Sequence, residues 1–367
     1  MGELELQKFL RAGHSLDELR KPPYSLIIKE EGDLVLFKYT QGVSDGFNPI
    51  VREARGIILS REGGDWYPVC YPFYRFFNFN QPEADELHGT LHVYEKVDGS
   101  LVKIFYYYGK WRCASNGNID ARNVSLNGKN FFGLVEKALN THGYTWETFT
   151  DGLNHMKTYM YELATQDNPV VIKYTGYHLY YLGERNNLTG QEEYNSDPRI
   201  DNVKVYQFET FHDIVNSSLH MKDNEEGYVV RDDQWHRVKV KNPTYFLAHH
   251  LANNGRPDFL DILLNGDVKE FLNYFPQYEK DFEEMKEIFA QMNEEAEMLR
   301  ERTSEFWNYT RKDFVASIDV PKPFQSFIFK CYEDHNLTWK KFTADWDYNK
   351  WKRFLKKNEY YFNPSEA

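Results

Sequence analysis

Short alternating runs of apolar and polar residues fill most of the chain up to residue 241. This period of two is typical of β-strands that bury one face. Two such runs, at 25–29 and 34–39, flank Glu30-Glu31-Gly32-Asp33, so the pattern predicts a β-hairpin there. Further strands are predicted at 57–59, 91–97, 101–108, 158–162, 170–174, 177–182, 203–207, 227–231 and 237–241. Helical spacing predicts helices over 3–20 and 128–156.

Helical periodicity replaces the strand pattern after Asn242-Pro243. The clearest example is a stripe of apolar residues that step by four and three, namely Tyr278, Phe282, Met285, Phe289, Met292, Ala296 and Leu299. Acidic residues crowd the other side, so the stripe predicts a helix that packs one face into a core. The expected fold class is α+β. It consists of a domain of antiparallel β-sheets with flanking helices at 1–243, followed by an all-helical domain at 244–367.

The composition is that of a globular protein. Its 367 residues are enough for two domains with a large core. The net charge of −12 argues against a generally basic surface, but it does not exclude nucleic-acid binding, for which a local basic groove suffices. Candidate basic stretches are Lys239 with Lys241, and residues 350–357. The second stretch is more typical of a solvated helix face, with contact to nucleic-acid phosphates as the alternative.

The three cysteines, Cys70, Cys113 and Cys331, are few and far apart. Their spacing suggests neither a disulfide framework nor a zinc site, and it favours a reducing compartment. The N-terminus lacks a basic-then-apolar signal pattern, and no apolar stretch approaches the length of a membrane span. We therefore expect a cytoplasmic protein with no membrane partner.

The segment with the most chemical information is Tyr94-Glu95-Lys96-Val97-Asp98-Gly99-Ser100-Leu101. A Lys-x-Asp-Gly element alone should occur by chance in roughly one protein of this length in twenty. Here it is one of an ordered set. The other members are Glu53-Ala54-Arg55-Gly56-Ile57 upstream, and Tyr161-Glu162-Leu163, Glu226-Gly227-Tyr228-Val229-Val230 and Val238-Lys239-Val240-Lys241 downstream. Five matches in one order are hard to ascribe to chance.

This ordered set resembles the ATP-dependent RNA ligases of the bacteriophage T4 RNA ligase 1 type, within the superfamily of DNA ligases and mRNA capping enzymes. The resemblance covers roughly residues 30–245 and includes Pro72-Phe73-Tyr74-Arg75-Phe76-Phe77-Asn78. It implies three steps: AMP is transferred from ATP to a lysine, then to an RNA 5′-phosphate, and is expelled when an RNA 3′-hydroxyl attacks. The implied cofactors are ATP and Mg²⁺, which Mn²⁺ can replace. The implied partner is RNA, including structured RNA such as tRNA, and the implied state is a monomer.

The resemblance also implies residue roles. Lys96 would be the nucleophile, because a neutral amine is a strong nucleophile. Asp98 would orient Lys96, and with Gly99 it would form the turn after it. Glu162 would accept hydrogen bonds from the ribose hydroxyls. Glu226 is chosen over its neighbour Glu225 as the acid near the metal, because it directly precedes Gly227.

The cations of the set would hold the phosphates. Lys239 and Lys241 stand two apart on a predicted strand, so both face the same way and suit the α-phosphate. By resemblance, Arg55 and Arg75 would contact the β- and γ-phosphates or the RNA phosphate. Phe77 is expected either near the nucleotide or simply in the core.

The chain departs from the family pattern at two positions. Arg75 stands where phage-type enzymes commonly carry lysine, and Asn116 stands where related ligases often have lysine. Asparagine can donate a hydrogen bond to a phosphate oxygen but brings no charge.

The alternatives are a DNA ligase or GTP-dependent capping guanylyltransferase with the same nucleotide site, and an inactive RNA-binding relative. DNA ligases and capping enzymes generally continue from the last lysine motif into a small β-barrel, whereas the continuation here is helical. An inactive relative would be expected to lack Lys96, Glu162 or Lys239, and all three are present.

Overall fold

The computed structural model describes residues 3–168, 171–249, 257–344 and 346–357. Contacts divide the chain into two units, Met1–His249 and His250–Ala367. The described part of the first unit contains β-sheets and helices, and that of the second is helical, so the predicted α+β class is confirmed. The division into domains at 1–243 and 244–367 stays a prediction. The contact boundary falls after the helix that begins at Pro243.

The strands of the first unit are numbered in chain order: β1 Ile27–Glu31, β2 Leu34–Lys38, β3 Arg55–Ser60, β4 Tyr67–Cys70, β5 Phe77–Asn78, β6 His92–Glu95, β7 Ser100–Tyr107, β8 Lys110–Ser115, β9 Ser125–Leu126, β10 Lys129–Asn130, β11 Lys157–Thr165, β12 Tyr177–Asn186, β13 Glu192–Glu193, β14 Asp201–Asn202, β15 Val205–Tyr206, β16 Gly227–Arg231 and β17 Arg237–Lys241. The α-helices follow the same rule: α1 Glu5–Arg11, α2 Leu16–Leu19, α3 Pro49–Glu53, α4 Phe131–Thr141, α5 Trp146–Thr150, α6 Phe211–Ser218, α7 Pro243–His249, α8 Phe259–Asn265, α9 Val268–Tyr274, α10 Glu279–Thr303, α11 Arg311–Ser317, α12 Lys322–Glu333, α13 Trp339–Phe342 and α14 Tyr348–Lys357.

Three larger sheets build the first unit. The N-terminal sheet has the strand order β1-β2-β3-β4, and its first pair is the predicted hairpin. A second sheet has the order β13-β12-β11-β7-β8, with β14 paired to β12. The third sheet has the order β15-β6-β16-β17-β5. Residues 96–99 connect β6 to β7, so the Lys-x-Asp-Gly element passes from the third sheet to the second.

Each main sheet has its own buried core. In the second sheet, α4 packs against β12 and buries the apolar face of Phe131, Leu134, Val135 and Ala138. Behind the third sheet, α6 supplies the buried Ile214. Because both cores are closed by helices, the ends of β6, β7 and β11 are held in fixed positions.

Two predicted helices are each interrupted in the structure. The helix predicted at 3–20 is split into α1 and α2, because Ser15 and Glu18 form a capping box that begins a new helix. The helix predicted at 128–156 is split into α4 and α5, where Thr145 caps the second one. The apolar periodicity continues through both breaks, so the periodicity alone did not predict where each helix would end.

The predicted strand at 170–174 is wrong for the residues that the structure describes there. Residues 171 and 172 form a bend, residues 173 and 174 belong to no regular element, and Val170 lies outside the described residues. The backbone N–H groups of Val171 and Ile172 donate to the Asp98 carboxylate instead of to a strand.

The second unit is organised around α10. Its buried residues include Phe282, Met285, Met292, Ala296 and Leu299, which confirms the predicted apolar stripe as a core-facing surface. Helix α12 packs against it with Phe324, Phe327 and Ile328 buried. Within the ranges described above, no helix combines the length and the apolar character needed to cross a membrane.

Candidate active site

Lys96 and Glu226 are brought together by the pairing of two neighbouring strands. Strand β6 pairs with β16, and the backbone N–H of Lys96 donates to the carbonyl of Gly227 over 2.9 Å. The Lys96 ammonium then donates a short hydrogen bond to Glu226 Oε1. The two residues are 130 positions apart in the sequence and belong to two different motifs.

Gly227 allows β16 and β17 to approach closely. A methyl group built on it would lie 2.3 Å from the carbonyl oxygen of Val240, and its φ is +141°. Only glycine tolerates both conditions. Gly227 is the register partner of Lys241. Because Glu226 directly precedes Gly227, the close approach of the two strands places the backbone of Lys241 near that of Glu226.

Asp98 is buried and its carboxylate is fully engaged. Oδ1 accepts a hydrogen bond from the Tyr245 hydroxyl over 2.9 Å, and Oδ2 accepts from the backbone N–H groups of Val171 and Ile172 over 2.9 and 2.7 Å. Asp98 therefore ties the Lys96 turn to the 171–172 bend and to α7. The ammonium of Lys96 bonds to Glu226 instead, and the orienting role for Asp98 stays a prediction.

A cavity of about 510 Å³ opens beside Lys96. Six of the residues singled out in the sequence line it: Arg55, Lys96, Gly99, Asn116, Glu162 and Lys239. Apolar and aromatic residues form other parts of its wall, including Phe73, Phe76, Tyr94, Leu182, Tyr194, Val203 and Val229. A largely apolar concavity of this size with a few convergent polar groups is typical of a small-molecule site, and a nucleotide fits that description.

Glu162 lies on β11 opposite Leu101 of β7. Gly99 passes so close to this strand that an added methyl group would lie 2.5 Å from the carbonyl oxygen of Leu163. Burial raises the pKa of Glu162 to about 8, although the nearby Lys96 ammonium acts in the opposite direction. Burial also raises the pKa of Glu226, against the influence of Lys96 and Lys241. The site therefore keeps two carboxyl groups in positions that disfavour their charge.

The raised pKa of Glu162 predicts a dependence of stability on pH. Between pH 4.5 and about 8 the folded protein keeps a proton on Glu162 that the unfolded chain releases, so the free energy of unfolding should fall as pH rises through this window. Glu162→Gln should lose less stability over that window than the unaltered protein, with a difference of about 1 kcal/mol or more. Chemical denaturation at pH 5 and pH 8 measures it.

The exposed Glu136 on α4 supplies the matched control for this measurement. Glu136→Gln should follow the unaltered protein at both pH values. Parallel pH curves for Glu162→Gln and the unaltered protein would contradict the assignment of the raised pKa.

The cations at the cavity face aromatic rings. The guanidinium of Arg55 lies 5.1 Å from the ring centre of Phe76, and Lys239 Nζ lies 5.2 Å from the same ring. Arg55 Nη1 is buried and has no hydrogen-bond partner among the described residues. A buried donor left unpaired is costly, which indicates that it serves an acceptor on a bound ligand.

Arg75 and Phe77 stand apart from the other predicted residues. Arg75 lines a second cavity of about 410 Å³, and its guanidinium lies 4.1 Å from the ring centre of Tyr39 and 4.8 Å from that of Phe77. Phe77 is buried and is absent from the walls of both cavities. The two cavities share Phe76, Trp235 and Arg237 as wall residues. The predicted phosphate contact of Arg75 and nucleotide contact of Phe77 stay predictions.

Glu226 has the chemistry of a metal-site residue. Oε1 is bonded to Lys96, whereas Oε2 is buried and has no hydrogen-bond partner in the described part of the chain. No group of three or more His, Cys, Asp or Glu residues that could hold a metal occurs there either. Mg²⁺ commonly binds through one or two carboxylates, water and substrate phosphates, so this single free oxygen fits such an ion.

Two residues of the site were missed in the sequence. Lys38 at the end of β2 lines the first cavity, and Tyr245 of α7 is bonded to Asp98. Neither belongs to a motif that the sequence analysis used. Tyr245 follows Lys241 by four residues, and an aromatic residue in the first turn of a helix is usually interpreted as core packing.

The site has the features of a nucleotidyltransferase: a lysine at a strand end, a glutamate bonded to it and a nucleotide-sized cavity between β-sheets. The family comparison agrees, since the model described as RNA ligase matches residues 53–245. The chain belongs to the RNA ligase family, of the T4 RNA ligase 1 type.

Two viral proteins are similar in sequence. The first is the "Putative bifunctional polynucleotide kinase/RNA ligase" of Autographa californica nuclear polyhedrosis virus, 32% identical over 267 residues. That match covers 67% of this chain but 38% of the baculovirus protein, so the chain spans well under half of that relative's length. The second is the "RNA ligase" of Rhodothermus phage RM378, 24% identical over 352 residues, covering 77% of this chain and 78% of the phage protein.

Among solved structures, an archaeal ATP-dependent RNA ligase aligns with 98% of this chain and 80% of its own. The sequence identity is 12% and the TM-score is 0.41.

Proposed function

We propose that this protein is an ATP-dependent RNA ligase that joins RNA 5′-phosphate and 3′-hydroxyl ends through a covalent Lys96–AMP intermediate. The observation that carries the proposal is the Lys96 ammonium, which lines the nucleotide-sized cavity and bonds to the buried carboxylate of Glu226. Membership of the RNA ligase family supports RNA as the substrate over DNA or an mRNA cap.

In the first step, the Lys96 amine, having lost its proton, attacks the α-phosphorus of ATP. A P–N bond forms and the bond to the pyrophosphate oxygen breaks. Lys239 and Lys241 would stabilise the charge that develops on the α-phosphate. Glu162 would accept hydrogen bonds from the ribose hydroxyls through a carboxyl oxygen.

The proposed cofactors are ATP and Mg²⁺, with Mn²⁺ able to substitute. Glu226 Oε2, the buried oxygen without a partner, would bind the cation directly or through a water molecule. The cation would supply positive charge at the phosphates.

The second and third steps transfer AMP and then release it. An oxygen of the RNA 5′-phosphate attacks the AMP phosphorus, the P–N bond breaks, and Lys96 is regenerated. An RNA 3′-hydroxyl then loses its proton and attacks the 5′-phosphorus, which expels AMP and leaves a phosphodiester. Arg55 and Arg75 are proposed to hold phosphates in these steps, since guanidinium groups bind phosphate through paired hydrogen bonds.

Incubation with ATP labelled at the α-phosphate and Mg²⁺, followed by a denaturing gel, tests the proposal. We expect label on the protein with ATP and none with labelled GTP. Label from GTP alone would indicate a capping enzyme. Absence of label from both would indicate an inactive relative.

Residues 350–357 are proposed to contribute to the choice of RNA. Lys350, Lys352, Arg353 and Lys356 on α14 are exposed, and a basic helix face attracts phosphates. By resemblance, the natural substrate is a structured RNA such as a broken tRNA, joined by a monomer in the cytoplasm. Joining rates on a nicked stem-loop and on an unstructured oligonucleotide distinguish the two kinds of substrate.

A further inference from the structure

Lys38 is a half-buried cation in the wall of the first cavity. It is the last residue of β2, in the N-terminal sheet, whereas Lys96 and Lys239 belong to the third sheet or its edge. Its register partners are Ile27 of β1 and Arg55 of β3. Lys38 and Arg55 are register partners on adjacent strands, and both line the first cavity.

A β-bulge sets this arrangement. The register of β2 and β3 changes between Phe37 and Lys38, because Phe37 pairs with Ile57 while Lys38 pairs with Arg55. Gly56 is the extra residue. Bulges of this kind redirect side chains and are frequent next to active sites.

No carboxylate forms an ion pair with Lys38 or with Arg55 anywhere in the described ranges. Burial and the neighbouring Lys29 ammonium both lower the pKa of Lys38, and no acidic group acts in the opposite direction. Like charges placed opposite each other on paired strands destabilise a sheet. Two cations in one cavity wall, neither of them in an ion pair with a described residue, are therefore unfavourable when the cavity is empty and favoured by a bound anion, since Glu162 and Glu192 attract Arg55 only from a distance.

The Lys38 ammonium lies beside the segment that departs from the family pattern. A methyl group built on Gly117 would lie 3.6 Å from Lys38 Nζ. The preceding residue, Asn116, occupies the position where related ligases often carry lysine, and its buried Oδ1 has no partner among the described residues. The charge that position 116 lacks is thus present close by, on a different strand.

We propose that Lys38 takes the place of the missing lysine at position 116 and, together with Arg55, binds the β- and γ-phosphates of ATP. This inference rests on the proposed function, because it assumes that the first cavity accepts ATP. In-line displacement places the leaving pyrophosphate on the side of the α-phosphorus opposite the attacking Lys96 amine. Lys38 and Arg55 come from a different sheet than Lys96, which suits that opposite side.

The test is the dependence of Lys96–AMP formation on ATP concentration. In Lys38→Met, which keeps the aliphatic chain, the ATP concentration for half-maximal rate should rise roughly 10- to 100-fold, as expected for loss of a hydrogen bond to a charged group. The double variant Lys38→Met/Asn116→Lys should recover most of that loss, because it returns the charge to the same place. Sealing of RNA that is already adenylylated needs no triphosphate and should be unchanged in Lys38→Met.

The matched control is Lys110→Met, since Lys110 is an exposed lysine at the start of β8 and is absent from both cavities. It should behave like the unaltered protein. Far-ultraviolet circular dichroism checks that every variant is folded.

Three results would overturn the inference. One is an unchanged ATP requirement in folded Lys38→Met. Another is a double variant as weak as Lys38→Met while Asn116→Lys alone remains active. The third is a defect confined to sealing of adenylylated RNA, which would assign Lys38 to the RNA end. Failure of the proposed function is distinguishable from all three, because the unaltered protein would then form no adduct at all.

Discussion

Replacing Lys96 with alanine should abolish the transfer of label from ATP to the protein. Lys96 lines the cavity and its ammonium bonds to Glu226, and without its amine no P–N bond can form. Because the third step needs no lysine nucleophile, Lys96→Ala should still seal RNA that carries a 5′-adenylyl group. Gel electrophoresis with labelled ATP, and separately with adenylylated RNA, measures the two activities.

Lys204→Ala provides a matched control for this prediction. Glu95 directly precedes Lys96 in the sequence, and Lys204 Nζ lies 3.4 Å from one of its carboxylate oxygens. The Lys204 side chain is nevertheless well exposed, and it is not part of the cavity wall. It should label normally. Undiminished labelling of Lys96→Ala would show that another residue is the nucleophile.

Glu226→Ala should slow formation of the lysine–AMP adduct by about two orders of magnitude, the typical effect of losing one group that stabilises the transition state. The change removes the partner of the Lys96 ammonium and the free oxygen Oε2 that suits a metal or its water. Single-turnover labelling at saturating ATP and Mg²⁺ gives the rate.

Glu225→Ala separates this effect from a general loss of negative charge. Glu225 is the adjacent acid, and its carboxylate accepts a hydrogen bond from the backbone N–H of Lys222. The rate should stay close to that of the unaltered protein. Equal rates for folded Glu226→Ala and Glu225→Ala would mean that the wrong glutamate was chosen.

Much of the fold was predictable because strand periodicity is local. Strands β16 and β17 have the predicted bounds, and the β1–β2 hairpin forms across its polar turn. The interrupted helices were not predictable from periodicity, since a capping residue such as Ser15 changes the chain direction without changing the apolar pattern. The 170–174 strand failed for a related reason, because a distant carboxylate, Asp98, took its backbone donors.

The candidate site was predictable only where a motif marked it. The resemblance assigned Lys96 and Glu226 to one site, and the structure places their side chains in contact although 130 positions separate them. The sequence did not mark Lys38 as a site residue, because a lysine at the end of a strand is usually solvated. Its pairing with Arg55 depends on a bulge in the next strand. Tyr245 was missed because its hydroxyl finds Asp98 only after the chain has folded.

The hydrogen bond from Tyr245 to Asp98 restricts where evolution or protein engineering can exchange the C-terminal part of this ligase. A recombination junction at residue 243, where the sequence pattern changes, would replace Tyr245 along with the incoming segment. Asp98 is 4% exposed, so it would lose a buried donor at a cost of about 1–3 kcal/mol. A junction after His249 would retain Tyr245. The exchangeable module therefore begins beyond α7, and a chimera should inherit that helix from the same parent as its lysine motif.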